Sequence, residues 1–178
     1  EARAAVASAL TPAAVGEILP DDVLVAVDEG DAQAVAAWLD EGGGVDARSA
    51  EMLDGATLLI AATYGAQEAI VRMLLKRGAS VDLRNSVHVT ALMYAVNDGH
   101  TTIVQALLDA KADASLRTTN GRGRGNTALM IAENHKHTAT AQLLRQHAKR
   151  LTAEAEARAA PAAAHAAAAA EAAATALL

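Results

Sequence analysis

The sequence predicts an all-α protein built as a solenoid of helix-turn-helix units that are joined by hairpin loops. Three observations support this prediction. Segments of the chain align with one another, and their starts are 33 and then 37 residues apart. Within each segment, apolar residues recur at helical spacing in two short bursts. The chain is 52% apolar but has no Phe, one Trp and two Tyr, which suits closely packed Ala- and Leu-rich helices.

Residues 1–20 are expected to form an N-terminal extension with a short capping helix. Thr11 followed by Pro12 is a favourable helix start, with Thr as the N-cap and Pro in the first turn. Apolar residues after this start, including Ile18 and Leu19, would then lie over the open edge of the first repeat.

Three segments carry the clearest repeat, because each begins with Thr-x-Leu-x-x-Ala and ends with a pair of large apolar residues. The three starts are Thr57/Leu59/Ala62, Thr90/Leu92/Ala95 and Thr127/Leu129/Ala132. Asp21 to Gly44 fits the same frame more loosely, as expected for a terminal repeat that meets one neighbour only. The expected repeat domain therefore covers residues 21–149, with repeats near 21–52, 53–86, 87–122 and 123–149.

This motif resembles the ankyrin repeat, whose signature is Thr-Pro-Leu-His-x-Ala with a period of about 33 residues. The third copy matches best, with Thr90, Leu92 and Ala95 followed by Gly99 and His100. The resemblance implies stacked helical hairpins that bind other proteins.

The sequence departs from that signature at several positions. The signature Pro is replaced by Leu58, Ala91 and Ala128, and the signature His by Ile60, Met93 and Met130. Gly65 stands one place early in the second copy, and Lys136 occupies the glycine position of the fourth. We expect the turns to depend more on Thr and on apolar packing, with the fold retained.

Residues 150–178 are an Ala-rich helical tail. Because alanine is the best helix former, we expect one helix from about Thr138 to Ala160, a bend or break near Pro161, and a second helix ending at Leu178. Two interpretations stay open: the tail is a semi-rigid or frayed spacer, or it is a docking arm for a partner subunit.

The resemblance also implies where a partner would bind, namely on the inner-helix surface and on the tips of the hairpin loops. Carried over by position, the candidate residues in the inner turns are Asp28, Glu29, Tyr64, Asn97, Asp98, Asn134 and His135. The candidates in the loop tips are Arg48, Arg84, Arg117, Arg122 and Arg124.

The third hairpin loop, residues 118–126, is the least typical part of the repeat domain. Asn120-Gly121 is a strong tight-turn signal, which favours a protruding finger that carries Arg122 and Arg124. Two arginines could clamp a carboxylate or phosphate, since each presents a bidentate fork. A solvated loop insertion is the alternative, and the Arg-Gly alternation is a weak indication of RNA binding.

The residues that enzymes and metal sites need are not grouped in this sequence. There is no Cys, which excludes thiolate metal ligands and disulfides. His135, His137 and His147 invite a metal hypothesis, but residues two apart on a helix do not share a face, so we interpret them as solvated. Without a phosphate-binding Gly-rich loop or a Ser/His/Asp grouping, no catalytic residue, cofactor, metal or small-molecule substrate is expected.

The expected function is therefore that of a non-catalytic scaffold or adaptor that binds another protein. The alternative is a structural or linker subunit of a large multiprotein complex, anchored by its repeats and its Ala-rich tail. A net charge of −6 disfavours nucleic acid, and no stretch predicts a membrane span. We expect an intracellular, cytoplasmic location by default; an organelle stays open because the chain begins at Glu1 rather than Met.

The repeat frame makes a direct stability prediction at Leu107, one of the large apolar residues of the third copy. Leu107→Ala should lower the free energy of unfolding by about 2–5 kcal/mol, because truncating a core leucine leaves a cavity. Denaturant unfolding measures this change. A loss below about 0.5 kcal/mol, as at an exposed site, would mean that the frame is wrong.

Overall fold

The computed structural model describes residues 18–50, 52–119 and 125–175. Within these ranges the regular secondary structure is helical, and the only strand-like pairs are isolated bridges. The helices are α1 (Asp21–Asp28), α2 (Ala32–Asp40), α3 (Leu58–Tyr64), α4 (Glu68–Lys76), α5 (Ala91–Asn97), α6 (Thr101–Asp109), α7 (Ala128–Asn134) and α8 (Thr138–Thr175). The predicted all-α class is confirmed.

The chain divides into two units, Glu1–Ala141 and Gln142–Leu178, so the boundary falls inside α8. The first unit contains the hairpins α1/α2, α3/α4 and α5/α6, followed by α7 and the first residues of α8. We call α1, α3, α5 and α7 the inner helices and α2, α4 and α6 the outer helices. The predicted domain boundaries at residues 20 and 149 stay predictions.

Threonine starts three of the four inner helices in the same way. The side-chain oxygens of Thr57, Thr90 and Thr127 accept a hydrogen bond from the backbone amide three residues later, at 3.3, 3.3 and 3.4 Å. This N-cap satisfies an amide that has no partner inside the helix. The expectation that the turn depends on Thr is therefore confirmed.

A left-handed residue ends every inner helix. Gly30, Ala66, Gly99 and Lys136 occupy the same repeat position and have φ of +73°, +55°, +74° and +61°. The amide of the following residue donates to an alanine carbonyl of the inner helix, as in the bond from His100 to Ala95 at 2.9 Å. Glycine adopts this conformation without steric cost, but alanine and lysine do not. The repeat geometry therefore survives at the two positions that lack glycine.

The core lies between the two layers of helices. Along the stack, α3 packs between α1 and α5, and α4 packs between α2 and α6. Every side chain from Leu58 to Thr63 of α3 is buried, and Leu107 of α6 is fully buried. Small alanines such as Ala62 and Ala95, both fully buried, allow neighbouring repeats to approach closely.

Hydrogen bonds at equivalent positions link one repeat to the next. The carboxylate of Asp46 accepts from the amide of Ser80 at 2.8 Å and from its hydroxyl at 2.6 Å. The carboxylate of Asp82 accepts from the amide of Asp113 at 2.9 Å. Because such bonds fix the neighbouring backbones, they set the register of the stack.

The chain ahead of α1 is described only from Ile18, so the helix expected after Thr11 lies outside the described residues. Leu19 is buried, whereas Ile18 is 64% exposed and does not cover the first repeat as expected. The reason is local geometry: Ile18 pairs with Arg48 in a strand-like bridge, and successive residues of extended backbone point to opposite sides.

Helix α8 is longer than expected. It runs without a break from Thr138 to Thr175, so the break expected at Pro161 does not occur. Proline removes one helical hydrogen bond, while the alanines on both sides have the highest helix propensity and keep the helix continuous. Among the described residues, no helix combines the length and apolarity that a membrane crossing needs.

His147 is also buried, at 8% exposure, although it was expected to be solvated. It lies three residues after Leu144, which is 3% exposed, so both fall on the same face of α8. The Nδ1 atom of His147 is 3.4 Å from a guanidinium nitrogen of Arg150.

The left-handed position predicts opposite effects for one substitution at two sites. Ala66→Gly should raise the free energy of unfolding by about 0.5–1 kcal/mol, because it relieves the left-handed strain of a residue with a Cβ. Ala37→Gly, at an exposed position within α2, should lower it by about 0.5–1 kcal/mol, because glycine disfavours a helix interior. Denaturant melts of both variants measure the difference. Equal destabilisation by both changes would contradict the strain at Ala66.

Candidate inner-surface binding site

Exposed apolar side chains are unevenly distributed over the described residues. The large ones are Ile18, Val25, Tyr64, Val87, Met130 and Leu151. Val25, Tyr64 and Met130 lie on inner helices, and Val87 lies on the hairpin loop before α5. In the described part of the chain, no outer helix from α2 to α6 exposes such a side chain. Met130 is exposed because no inner helix follows α7 in the described residues, since the equivalent Met93 is buried. Val25 and Tyr64 remain as exposed apolar side chains of the inner surface, and exposed apolar groups that share one face are typical of an interaction surface.

The centre of this surface is an aromatic pair formed across two repeats. Tyr64 ends α3 and Tyr94 lies within α5, and their ring centroids are 5.9 Å apart at an interplanar angle of 87°. This edge-to-face arrangement is favoured by the quadrupoles of the two rings. Tyr64 is 51% exposed and Tyr94 is partly buried. The pair therefore presents aromatic surface to solvent in a fixed orientation.

Asn85 fixes the Tyr94 ring. Its Nδ2 donates to the Tyr94 hydroxyl at 3.3 Å and to the Leu53 carbonyl at 2.9 Å, and its Oδ1 accepts from the Val89 amide at 2.8 Å. Asn85 is only 4% exposed, so these bonds are made away from water. They tie the hairpin loop before α3, the next hairpin loop and the aromatic pair to one another.

The surroundings of Tyr94 are electrostatically negative. Burial raises the pKa of the Tyr94 phenol above its ordinary value, and the hydrogen bond from Asn85 opposes this effect. The charges of Asp54 and Asp98 raise the pKa further. We call Tyr64, Tyr94, Asp54 and Asp98 the acidic tyrosine patch.

Asp28 and Glu29 lie at the equivalent turn of the first repeat, and both are exposed. Asp28 occupies the position that corresponds to Tyr64, and its carbonyl accepts from Nε2 of Gln67 at 3.0 Å. Adjacent helices in a packed layer are about 8–10 Å apart, so these acids flank the patch at one helix spacing. The predicted acidic end of the inner surface is thus next to the aromatic pair.

The predicted turn residues of the last two repeats are also exposed: Asn97, Asp98, Asn134 and His135. Asn97 donates to the carboxylate of Asp98 at 2.8 Å. The expectation that His135 and His137 do not share a face is wrong, because their rings stack with centroids 6.0 Å apart. Left-handed Lys136 between them ends the helix, so the helical argument does not apply there.

The arginines predicted at loop tips lie instead at the bases of the hairpins. Arg48, Arg84 and Arg117 form strand-like bridges with Thr57, Thr90 and Thr127, the threonines that start the next inner helices. Each bridge closes a hairpin loop at its base, so these three arginines cannot lie at the loop tips.

Two of these guanidinium groups are already used within the stack. Nη1 of Arg48 donates to the carbonyls of Gly55 and Arg84 at 3.0 and 2.8 Å. Nη1 of Arg117 donates to the carbonyl of Gly125 at 3.0 Å. Because these bonds satisfy loop carbonyls, Arg48 and Arg117 have a structural role that the sequence did not indicate.

The tip of the third hairpin, with Arg122 and Arg124, lies outside the described residues. The base of the loop is described: the amide of Thr118 donates to the carbonyl of Asn126 at 3.1 Å, and the amide of Asn126 donates to the Thr118 hydroxyl at 3.0 Å. The clamp of Arg122 and Arg124 stays a prediction.

Three residues of the site were missed at the sequence level: Tyr94, Asp54 and Asn85. Tyr94 lies inside the Thr90–Ala95 signature, where it was treated as part of the motif rather than as surface. Its position two residues after Leu92 could have placed it on the opposite side of the helix from the core. Among the described residues, no group of three or more His, Asp or Glu is arranged to hold a metal ion.

The fold and this surface define a helical-hairpin repeat protein whose recurring geometry is the Thr cap and the left-handed turn. A family model described as ankyrin repeats in three copies matches residues 23–118, and the chain belongs to the ankyrin-repeat family. The same cap and turn recur at Thr127 and Lys136, beyond the matched residues. Ankyrin repeats are generally protein–protein interaction modules.

Curated relatives carry the same repeats in longer chains. An ankyrin repeat-containing protein of Treponema pallidum is 31% identical over 128 residues, which is 71% of this chain and 41% of that protein. The ankyrin repeat and SAM domain-containing protein 6 of Mus musculus is 34% identical over 126 residues, which is 69% of this chain and 14% of that protein. The chain thus matches less than half the length of either relative.

The contacts of Asn85 predict that it stabilises the patch. Asn85→Ala should lower the free energy of unfolding by about 1–3 kcal/mol, because it removes donors and an acceptor at a buried position. Asn97→Ala, at an exposed position, is the matched control and should change it by less than about 0.5 kcal/mol. Chemical denaturation of both variants measures the effects. Equal small losses would show that the Asn85 bonds do not hold the loops.

Proposed function

We propose that this chain is a non-catalytic adaptor that binds another protein through its inner helices and hairpin loops. The observation that carries the proposal is the position of Val25 and Tyr64 on inner helices and of Val87 on a hairpin loop, while the described outer helices α2, α4 and α6 expose no comparable side chain. Exposed apolar side chains that are confined to one side of a repeat stack indicate an interaction surface.

The arrangement of the surface also supports binding. The four inner turns present three kinds of exposed side chain from equivalent backbone positions: Asp28, Tyr64, and asparagine at Asn97 and Asn134. Their backbones are held by the repeat, as in the 2.9 Å contact between His137 Nε2 and the Asn97 carbonyl. Side chains on a rigid support lose little conformational entropy when a partner docks.

Tyr64 is the residue at which we expect the largest contribution to binding. Aromatic side chains at the centre of an interface commonly carry much of the binding free energy. Tyr64 is half exposed and is oriented by Tyr94, so it already has the geometry of an anchor. The predicted partner-binding residues Asp28, Glu29, Asn97, Asp98, Asn134 and His135 would surround it.

A second candidate function rests on α8. The helix has 38 residues, which at about 1.5 Å per residue span about 57 Å. Its side chains from Ala148 to Arg158 are exposed. Such a helix would suit the alternative, a structural or linker subunit that is held in an assembly by its tail.

Site-specific photo-cross-linking tests the two functions against each other. A benzophenone side chain is placed in the full chain at Tyr64, at Arg72 on the outer helix α4, or at Leu151 on α8, all exposed positions. The adaptor proposal expects one protein to be captured from position 64 but not from position 72, and excess unlabelled chain to prevent capture. Tyr64→Ser as the competitor should be much less effective.

The contrary results are equally specific. Equal capture from positions 64 and 72 would show that the inner surface is not selective and would overturn the adaptor proposal. Capture from position 151 alone would favour the structural subunit.

A further inference from the structure

We infer that the acidic tyrosine patch binds a lysine or arginine side chain from a basic segment of the partner protein. This inference rests on the proposed adaptor function and specifies the chemistry of the partner. The patch is formed by Tyr64, Tyr94, Asp54 and Asp98, as defined above.

The aromatic pair offers a surface that attracts cations. A ring attracts a cation placed over its face within about 6 Å of its centroid. The two rings meet at 87°, so the edge of one ring points at the face of the other. Neither face of the first ring is covered by its aromatic partner. Tyr64 is 51% exposed, which leaves room for an incoming side chain.

The carboxylates add a charge of the right sign at the same place. Asp54 follows Leu53 in the hairpin loop before α3, and the Leu53 carbonyl accepts from the same Asn85 Nδ2 that donates to the Tyr94 hydroxyl. Asp98 lies one helical turn after Tyr94, and its amide donates to the Tyr94 carbonyl at 3.2 Å. A cation over the pair would therefore meet negative charge from two different elements of the fold. Arg48 lies beside this loop, but its guanidinium is bonded to the carbonyls of Gly55 and Arg84.

Some carboxylates elsewhere on the repeats have partners within the fold. Asp40 and Glu68 form ion pairs with Arg77 and Arg72 at 2.6 and 2.8 Å, and Asp46 binds Ser80. Within the described part of the chain, the side chains of Asp54, Asp28 and Glu29 have no hydrogen bond or ion pair. Asp54, on the patch, and Asp28 and Glu29, beside it, thus carry negative charge that no ion pair among the described residues neutralises.

This distribution discriminates between partners. An acidic segment would bring like charges together, which is unfavourable at an interface. A purely apolar segment would cover Asp54 and Asp98 without offering them a partner, so it would incur the cost of their desolvation. A basic side chain satisfies both the rings and the carboxylates.

The test uses the isotope-labelled full chain and three short acetylated peptides of Gly-Ser-Arg, Gly-Ser-Gln and Gly-Ser-Glu repeats. Amide chemical shifts are followed by NMR at about 0.15 M salt, where weak long-range attraction is screened. We expect the Arg peptide alone to shift the amides at Tyr64, Tyr94 and Asp98. Tyr64→Leu should weaken this binding about two- to fivefold, the size of an exposed cation–π contact.

A matched pair of charge variants separates the patch from the net charge of −6. Asp98 and Asp109 are both exposed, and each accepts one side-chain amide bond at 2.8 Å, from Asn97 and Gln105. Asp98→Asn should weaken binding of the Arg peptide severalfold, whereas Asp109→Asn on the outer helix α6 should leave it unchanged. Equal weakening by both variants would show diffuse attraction and overturn the inference.

The remaining outcomes distinguish this inference from the proposed function. If the Gln or Glu peptide shifts the same amides as strongly as the Arg peptide, the patch is not selective for a cation and the inference fails. If no peptide shifts them while position 64 still cross-links a protein selectively, the inference fails and the adaptor function stands. If selective cross-linking also fails, both are overturned.

Discussion

The left-handed residue between each inner and outer helix is the constraint on which the rest of the stack depends. Gly30, Ala66, Gly99 and Lys136 all adopt it, although two of them have a Cβ that disfavours it. The turn positions the next residue to reach the preceding repeat: Gln67 donates to the Asp28 carbonyl, and His137 contacts the Asn97 carbonyl. One local backbone conformation therefore sets both the hairpin and the spacing between hairpins.

Because the backbone carries these contacts, side chains at the inner turns are free to differ. Asp28, Tyr64 and Asn97 share one repeat position, and their backbone carbonyls lie at the same place in each hairpin. Substituting these side chains changes the surface without removing a hydrogen bond between a backbone carbonyl and the next repeat. In such a repeat fold, the backbone contacts stabilise the stack and the side chains at the turns form the binding surface. Polar, aromatic and acidic side chains can therefore occupy equivalent positions in successive repeats.

The sequence was sufficient for the repeats, because helical spacing and the repeated Thr-x-Leu-x-x-Ala signature report local geometry directly, but not for α8, which has no break at Pro161. The site was only partly predictable. Tyr64 followed from its position in the turn, but Tyr94 and Asp54 come together only through packing of neighbouring repeats. Arg48 was expected to be available for binding, yet it donates to two backbone carbonyls. Nothing in its sequence context shows that those carbonyls need a donor.

The loop that carries Asp54 shows why the patch is pre-formed. Leu53, Asp54 and Gly55 are consecutive left-handed residues, with φ of +47°, +56° and +78°, and the first two are strained because they have side chains. The Leu53 and Asp54 carbonyls accept hydrogen bonds from Asn85 and the Ser86 amide of the next hairpin loop, and the Gly55 carbonyl accepts one from Arg48 at the base of the same loop. The neighbouring repeat thus stabilises a loop that would not hold this shape alone. Since Asn85 also holds Tyr94, the backbone that carries Asp54 and the ring of Tyr94 are fixed relative to one another before any partner arrives, and ordering them adds little to the cost of binding.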